Sequence, residues 1–139
     1  MEKALEVLGL AYPEKGFTQD YVVTLIEKGV SKRSFERAKR ATGLTYAVLA
    51  RLLSVSAKTI ERKKPAERFD DTASERLLKL AEIIALGREA LGNDEALQQW
   101  LQRPLRPLAG KSPVDMMKNM YGLEMVKQVL GRLKYGVYS

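Results

Sequence analysis

The stretch TYAVLARLLSVSAKTIERKK, residues 45–64, decides the fold. Its apolar residues Val48, Leu49, Leu52 and Leu53 recur at the spacing of one face of an α-helix, then give way to Ser54-Val55-Ser56. Ile60 resumes the pattern on a second short helix. Thr45 and Ser56 stand where a side-chain oxygen accepts the unpaired amides of a helix start, and Pro65 bars continuation. Two helices joined by a tight turn, with the small Ala50 at their crossing and Leu49, Leu53, Val55 and Ile60 between them, spell a helix-turn-helix. Two positions depart from the usual pattern. Ser54 stands where glycine is common, so a serine must take left-handed backbone, and Lys63 stands where an apolar residue is common.

In that geometry the outer face of the second helix offers Ala57, Lys58, Thr59 and Arg62, with Ser56 at its start. Lys58, Thr59 and Arg62 are expected at base edges, because Lys and Arg donate to guanine O6 and N7 and a hydroxyl reaches either bases or phosphates. Arg51, Ser56, Lys63 and Lys64 are expected on the phosphodiester backbone. A solvated helical hairpin would carry similar cations, but their coincidence with helix-turn-helix spacing favours nucleic acid. The charge distribution agrees: of the formal +7, residues 1–64 hold +6, and residues 28–64 alone carry 11 Lys and Arg against 2 Asp and Glu. A local cationic surplus is what a phosphate backbone selects.

With 139 residues, 45% hydrophobic and 29% charged, the chain has the composition of a globular protein. It has no cysteine and no histidine, which removes disulfides, imidazole and thiolate metal ligands, cysteine nucleophiles and any Ser-His triad. The N-terminus lacks the basic-then-apolar layout of a secretion signal and no apolar run approaches a membrane span, so a cytoplasmic location is expected. Gly110-Lys111-Ser112 echoes the end of a phosphate-binding loop, yet Leu105 occupies the required earlier glycine and no strand precedes it. The pairs Asp70-Asp71 and Asp94-Glu95 sit where acids favour helix starts. No enzyme activity, metal or cofactor is expected of this chain.

Outward from the quoted stretch, punctuation frames further helices and no alternating strand pattern appears, so the class is all-α. Residues 1–16 read as an arm or a short appended helix. Thr18 to Gly29 and Ser31 to Gly43 each open on a capping residue and close on glycine. Residues 65–71 read as a linker. Thr72 and Glu75 have capping-box spacing before Leu77, Leu80, Ala81, Ile84 and Leu91. Asn93 caps a helix bearing Leu97, Trp100 and Leu101, and Pro104 and Pro107 hold a loop. Ser112-Pro113 starts a short helix, which Gly122 separates from a last one bearing Val126, Val129, Leu130 and Leu133. Four of the five methionines, Met116, Met117, Met120 and Met125, fall in this region; at helical spacing they read as core, although thioethers also suit irregular partners.

The second half resembles the toxin-binding domain of the MbcA/ParS/Xre antitoxin family. The likeness rests on Gly92, the pair Trp100-Leu101 before Pro104, Leu108 and Gly110, Ser112-Pro113-Val114-Asp115, Gly122, and the end from Arg132 to Ser139 with Gly136-Val137-Tyr138. Together with the Xre-like helix-turn-helix it spans residues 17–139. Ala109 stands where the family has a second glycine, and Leu105 where it often has asparagine. The resemblance implies an arm at 1–16, a DNA-binding domain at 17–64, a linker at 65–71 and a toxin-binding, dimerising domain at 72–139. It implies an antitoxin of a type II pair that covers the active site of a cognate toxin and binds operator double-stranded DNA as a homodimer. The toxin is expected to be a RES-domain protein, and any NAD chemistry would be the toxin's. Trp100, Pro104, Leu105, Leu108, Gly110, Gly136, Val137, Tyr138 and Ser139 are the residues so assigned to the toxin, although Trp100 beside Leu97 and Leu101 also reads as core. The competing reading is a stand-alone regulator whose C-terminal helices only dimerise.

Overall fold

The computed structural model describes residues 1–14 and 19–136. The helices are α1 (Glu2–Val7), α2 (Gln19–Lys28), α3 (Lys32–Thr42), α4 (Tyr46–Leu53), α5 (Ala57–Arg62), α6 (Asp71–Leu91), α7 (Asp94–Leu101), α8 (Pro113–Met116) and α9 (Met120–Lys134), with a 3₁₀ turn at Arg106–Leu108. No strand occurs among the described residues; a lone antiparallel bridge joins Ser31 to Arg68. The all-α class is therefore observed. No described helix is long and apolar enough to cross a membrane.

The 21-residue α6 is the axle. It packs against α9, α7 and α1, and also against α2, α3 and α4. Leu77, Leu80, Ala81, Ile83 and Ile84 are fully enclosed and join both ends of the chain in one core with Phe35, Leu49, Leu53, Ile60, Leu97, Leu123 and Leu130. Gly87 explains how α7 comes so near: a Cβ there would lie 2.6 Å from Leu97 Cδ1. Inside a helix glycine costs about 1 kcal/mol relative to alanine, and close packing of α6 on α7 offsets it.

Most helix starts are capped as their sequences foretell. Ser31, Thr45, Ser56, Asn93 and Ser112 accept the amides of Ser34, Val48, Thr59, Ala96 and Asp115 respectively. Three expectations change. The Thr72–Glu75 capping box is not used, because Asp70 caps α6 through the Ala73 amide and draws Thr72 and Glu75 inside the helix. Gly122 does not separate two helices. It sits in the first turn of α9, capped by Asn119, because a Cβ there would fall 1.5 Å from the Met116 carbonyl oxygen. Of the two readings of the first residues, the short appended helix is observed and the arm is not: α1 is docked, with Ala4, Leu5, Val7 and Leu8 buried, Ser34 donating to the Leu8 carbonyl at 2.7 Å and Arg37 to that of Val7. Their spacing, with four apolar residues in five positions, was the available signal. The expected cap Thr18, and Gly16, lie outside the described residues.

The segment read as a linker is docked as well. Phe69 is buried against Phe35, its amide donates to the Val30 carbonyl at 2.9 Å, and Arg68 donates to the Gly29 carbonyl at 2.8 Å. Ser74, enclosed in α6, donates to the Phe69 carbonyl and accepts the Val30 amide. These bonds fix the helix-turn-helix on the axle.

Candidate functional site

Helices α4 and α5 meet through Ser54, whose φ of 60° and ψ of 43° are left-handed. Its amide reaches the Ala50 and Arg51 carbonyls, which ends α4 within one residue and turns the chain toward Ser56. Ala50, Leu49, Leu53 and Ile60 are buried at the crossing and Val55 is half-buried against them. Because Ile60 anchors the inner side of α5, its neighbours Lys58, Thr59 and Arg62 point outward and are exposed. Among the described residues, no carboxylate pairs with Lys58 or Arg62.

The other expected nucleic-acid residues divide. Lys64 is exposed, its backbone amide donating to Glu67. Ser56 and Thr59 are exposed but mutually occupied, their hydroxyls 2.8 Å apart and the Ser56 oxygen accepting the Thr59 amide. Ala57 is half-buried on the core, since the first turn of so short a helix lies close to the crossing. Arg51 is exposed, yet it lines a cleft with Val114, Asp115, Met117 and Lys118, at the junction with the second half. Lys63 turns inward: its ammonium donates to the Arg68 carbonyl at 2.8 Å and lies 5.2 Å from the Phe69 ring centre. The cation thus keeps the surface end of an apolar position, its stem packed and its head bonded.

The structure adds a group that sequence reasoning missed. Lys32 and Lys39 of α3 flank the Tyr46 ring at 5.9 and 5.1 Å from its centre, beside the start of α4. The Tyr46 hydroxyl donates to Glu36, and that bond, with burial second, raises the phenol above its ordinary value. The signal was present, since Lys32, Glu36 and Lys39 share one face of a helix.

At the other end of the molecule, the loop after α7 is built on buried posts. Trp100, 5% exposed, and Leu108, 1% exposed, belong to the chain's own core. They shape the loop from within and expose almost no surface of their own in this chain. Pro104 and Gly110 are exposed and Leu105 is half-buried. The Leu105 carbonyl accepts the Leu108 and Gly110 amides, and its own amide donates to the Lys111 carbonyl at 3.0 Å, so the loop is closed on itself. Ala109 and Gly110 are both left-handed, with φ of 55° and 79°, a reason for glycine to be usual at both positions. Gly136 is exposed beyond α9; Val137, Tyr138 and Ser139 lie outside the described residues. Met117 is buried and Met116 and Met120 are packed on the core, whereas Met125 is 40% exposed.

No group of His, Cys, Asp and Glu able to hold a metal occurs among the described residues. The fold thus defines a class: an all-α protein in which a basic helix-turn-helix is fused through one shared helix to a second helical unit with a closed, exposed loop. Comparison with known proteins gives the family. The sequence profile described as the antitoxin Xre-like helix-turn-helix domain matches residues 22–82, and that of the antitoxin Xre/MbcA/ParS C-terminal toxin-binding domain matches residues 86–136. The chain belongs to this antitoxin family. It is 28% identical over 127 residues to the Prs ADP-ribosylating antitoxin of Sphingobium sp. (strain YBL2), covering 84% of this chain and 80% of that protein. It is 22% identical over 120 residues to antitoxin Xre of Yersinia enterocolitica, covering 85% and 81%. A chain in the crystal structure of the M. tuberculosis MbcT-MbcA toxin-antitoxin complex shares the fold, with a TM-score of 0.57 and 23% identity over 78% of this chain and 95% of that one.

Proposed function

We propose that the chain neutralises a cognate toxin through its second unit and represses its own operon by holding operator DNA, as a homodimer, through the first. The observation that carries the DNA part is the exposed row of Lys58 and Arg62, unpaired among the described residues, on a helix whose inner side is anchored by Ile60. Lys58, Thr59 and Arg62 read base edges. Lys64, Arg51 and the capping Ser56 neutralise or bond phosphates, joined by Lys32 and Lys39 from α3 in place of the inward-turned Lys63.

For the toxin, the assignment rests on the matched C-terminal profile and on the closed loop around Pro104, Leu105 and Gly110, with Gly136 and the last residues Val137 to Ser139. The Xre-like first unit favours a RES-domain toxin that acts on NAD, with the chain supplying only the cover. The domain limits follow: residues 17–64 for DNA, 65–71 as their strap to the axle, and 72–139 for the toxin and the dimer. Cells are expected to keep the pair in the cytoplasm.

Co-expression with the product of the neighbouring gene tests this reading. Growth is expected to continue and the two proteins to co-purify. Removal of Gly136–Ser139 is expected to restore growth arrest while leaving operator binding intact. No co-purifying partner and no relief of arrest would leave a stand-alone regulator, and rescue by the shortened chain would take the tail out of the toxin contact.

A further inference from the structure

The connection between α8 and α9 is fixed to the helix-turn-helix. Arg76 of α6 reaches both with one guanidinium nitrogen, which donates to the Leu52 carbonyl in the last turn of α4 at 3.3 Å and to the Lys118 carbonyl at 3.4 Å. Either side of Lys118 the chain is pinned as well. The Met116 carbonyl lies against Gly122, Met117 is buried, and Asn119 caps α9 through the Gly122 amide. A guanidinium is a costly choice for this seam, since its Nε is buried and bonded to nothing among the described residues. It leaves the Lys118 backbone little freedom to move apart from α4.

Lys118 itself is exposed. It lines a cleft with Arg51 of α4 and with Val114 and Asp115 of α8. Neither Arg51 nor Lys118 has an ion pair among the described residues, although Asp115 shares the cleft. Two like charges from separate units thus stand together unneutralised, which costs Coulomb energy in the free chain and favours an anion between them. The position of the cleft says which anion. In a helix-turn-helix the first helix crosses the phosphate backbone while the second enters the groove, and Arg51, on the outer side of that first helix, is assigned above to a phosphate. A cation locked beside it meets the same strand. Each strand carries a phosphate about every 3.4 Å along the helix axis, so a second cation next to the first finds a second phosphate.

We propose that Lys118, although it belongs to the second unit, contacts the phosphate backbone of double-stranded DNA, so that the operator is gripped across the junction and not by the helix-turn-helix alone. The proposal rests on the DNA half of the functional reading and extends it to a residue outside 17–64. The test uses the full chain and two duplexes of equal length, the region upstream of its own gene and a scrambled sequence. Lys118→Ala is expected to lower affinity at least about threefold at low salt and to reduce the slope of log K against log salt by about 0.9 per subunit. The loss should be equal on both duplexes, since a phosphate contact carries no sequence information. Lys118→Arg is expected to keep the wild-type slope. Asp115→Asn, which removes the anion of the cleft, is expected to raise affinity about twofold.

Affinity and slope unchanged in K118A would overturn the contact, as would a loss that K118R shares, a loss confined to one duplex, or weaker binding by D115N. Loss of toxin capture by K118A with operator binding intact would give Lys118 to the toxin and equally overturn it. A wild-type chain that binds neither duplex would defeat the DNA reading itself, and the proposal with it.

Discussion

Residues 28–64 carry 11 Lys and Arg against 2 Asp and Glu, whereas residues 65–139 carry 11 against 10. In the rear, four cations pair with carboxylates, whereas Arg103, Arg106, Lys111, Lys118 and Arg132 are exposed with no ion pair among the described residues. Lys79 and Lys127 face Glu82, Lys79 also holds Glu124, Arg88 grips Asp94 with two bonds, and Lys134 shares Glu89 with Lys3 of α1. In the front, Glu36 is bonded to the Tyr46 hydroxyl and Lys58, Arg62 and Lys64 stand in solvent. The two regions share a core but differ in how their charges are satisfied. A surface with near-equal numbers of cations and anions suits contact with protein, and one whose cations are in large excess and stand free suits a polyanion.

The largest expected effect tests whether the regions are one folding unit. Gly122→Ala would put a Cβ 1.5 Å from the Met116 carbonyl oxygen and should destabilise the chain by about 3 kcal/mol or more. Because α6 packs against α3 and α4 as well as α7 and α9, a single cooperative transition should move down in temperature, followed by circular dichroism. Two separated transitions, with the front unchanged, would divide the molecule into independent halves.

Among the described residues, each region also holds one non-glycine residue in left-handed backbone, Ser54 in front and Ala109 behind. Glycine at either position should stabilise by about 0.5–1 kcal/mol, relief of the Cβ clash exceeding the added chain entropy. Denaturant midpoints check it. Unequal gains would locate the tighter loop.

The smallest effect concerns Glu89. Its bond to Lys134 and then that to Lys3 lower its carboxyl from 4.5 to about 2. A depressed carboxyl contributes stability above its unfolded value and loses it as pH falls from about 4.5 toward 2. Melting temperatures taken downward from pH 5 should therefore decline less steeply in Lys134→Ala, and added salt should narrow the gap, since the pair is at the surface.

Much of this was legible in the sequence because caps and periodicity are local. Ser31, Thr45, Ser56, Asn93 and Ser112 do what their positions announce, and Ser54 takes the backbone that its place in the turn demanded. What stayed hidden is tertiary. Nothing near residue 70 tells Asp70 from Thr72 as the cap; the docking of Phe69 under Phe35 chooses. Gly122 reads as a breaker until Met116 is seen against it. Lys63 looks like one more cation for the nucleic acid until Arg68 and Phe69 capture it. Trp100 and Leu108 read as part of the loop's outer surface until they are seen buried beneath it as its support.

The most direct test of the division between front and rear is the double variant Lys58→Ala/Arg62→Ala, assayed in one preparation for operator binding across a salt series and for toxin capture. Binding should weaken at least about tenfold and lose sequence preference, each base-edge contact being worth about 1–3 kcal/mol, while the salt slope, set by the phosphate contacts of Arg51, Lys64, Lys32 and Lys39, is largely kept and capture is unchanged. Operator affinity unaltered by the two substitutions, or both activities abolished together, would contradict it.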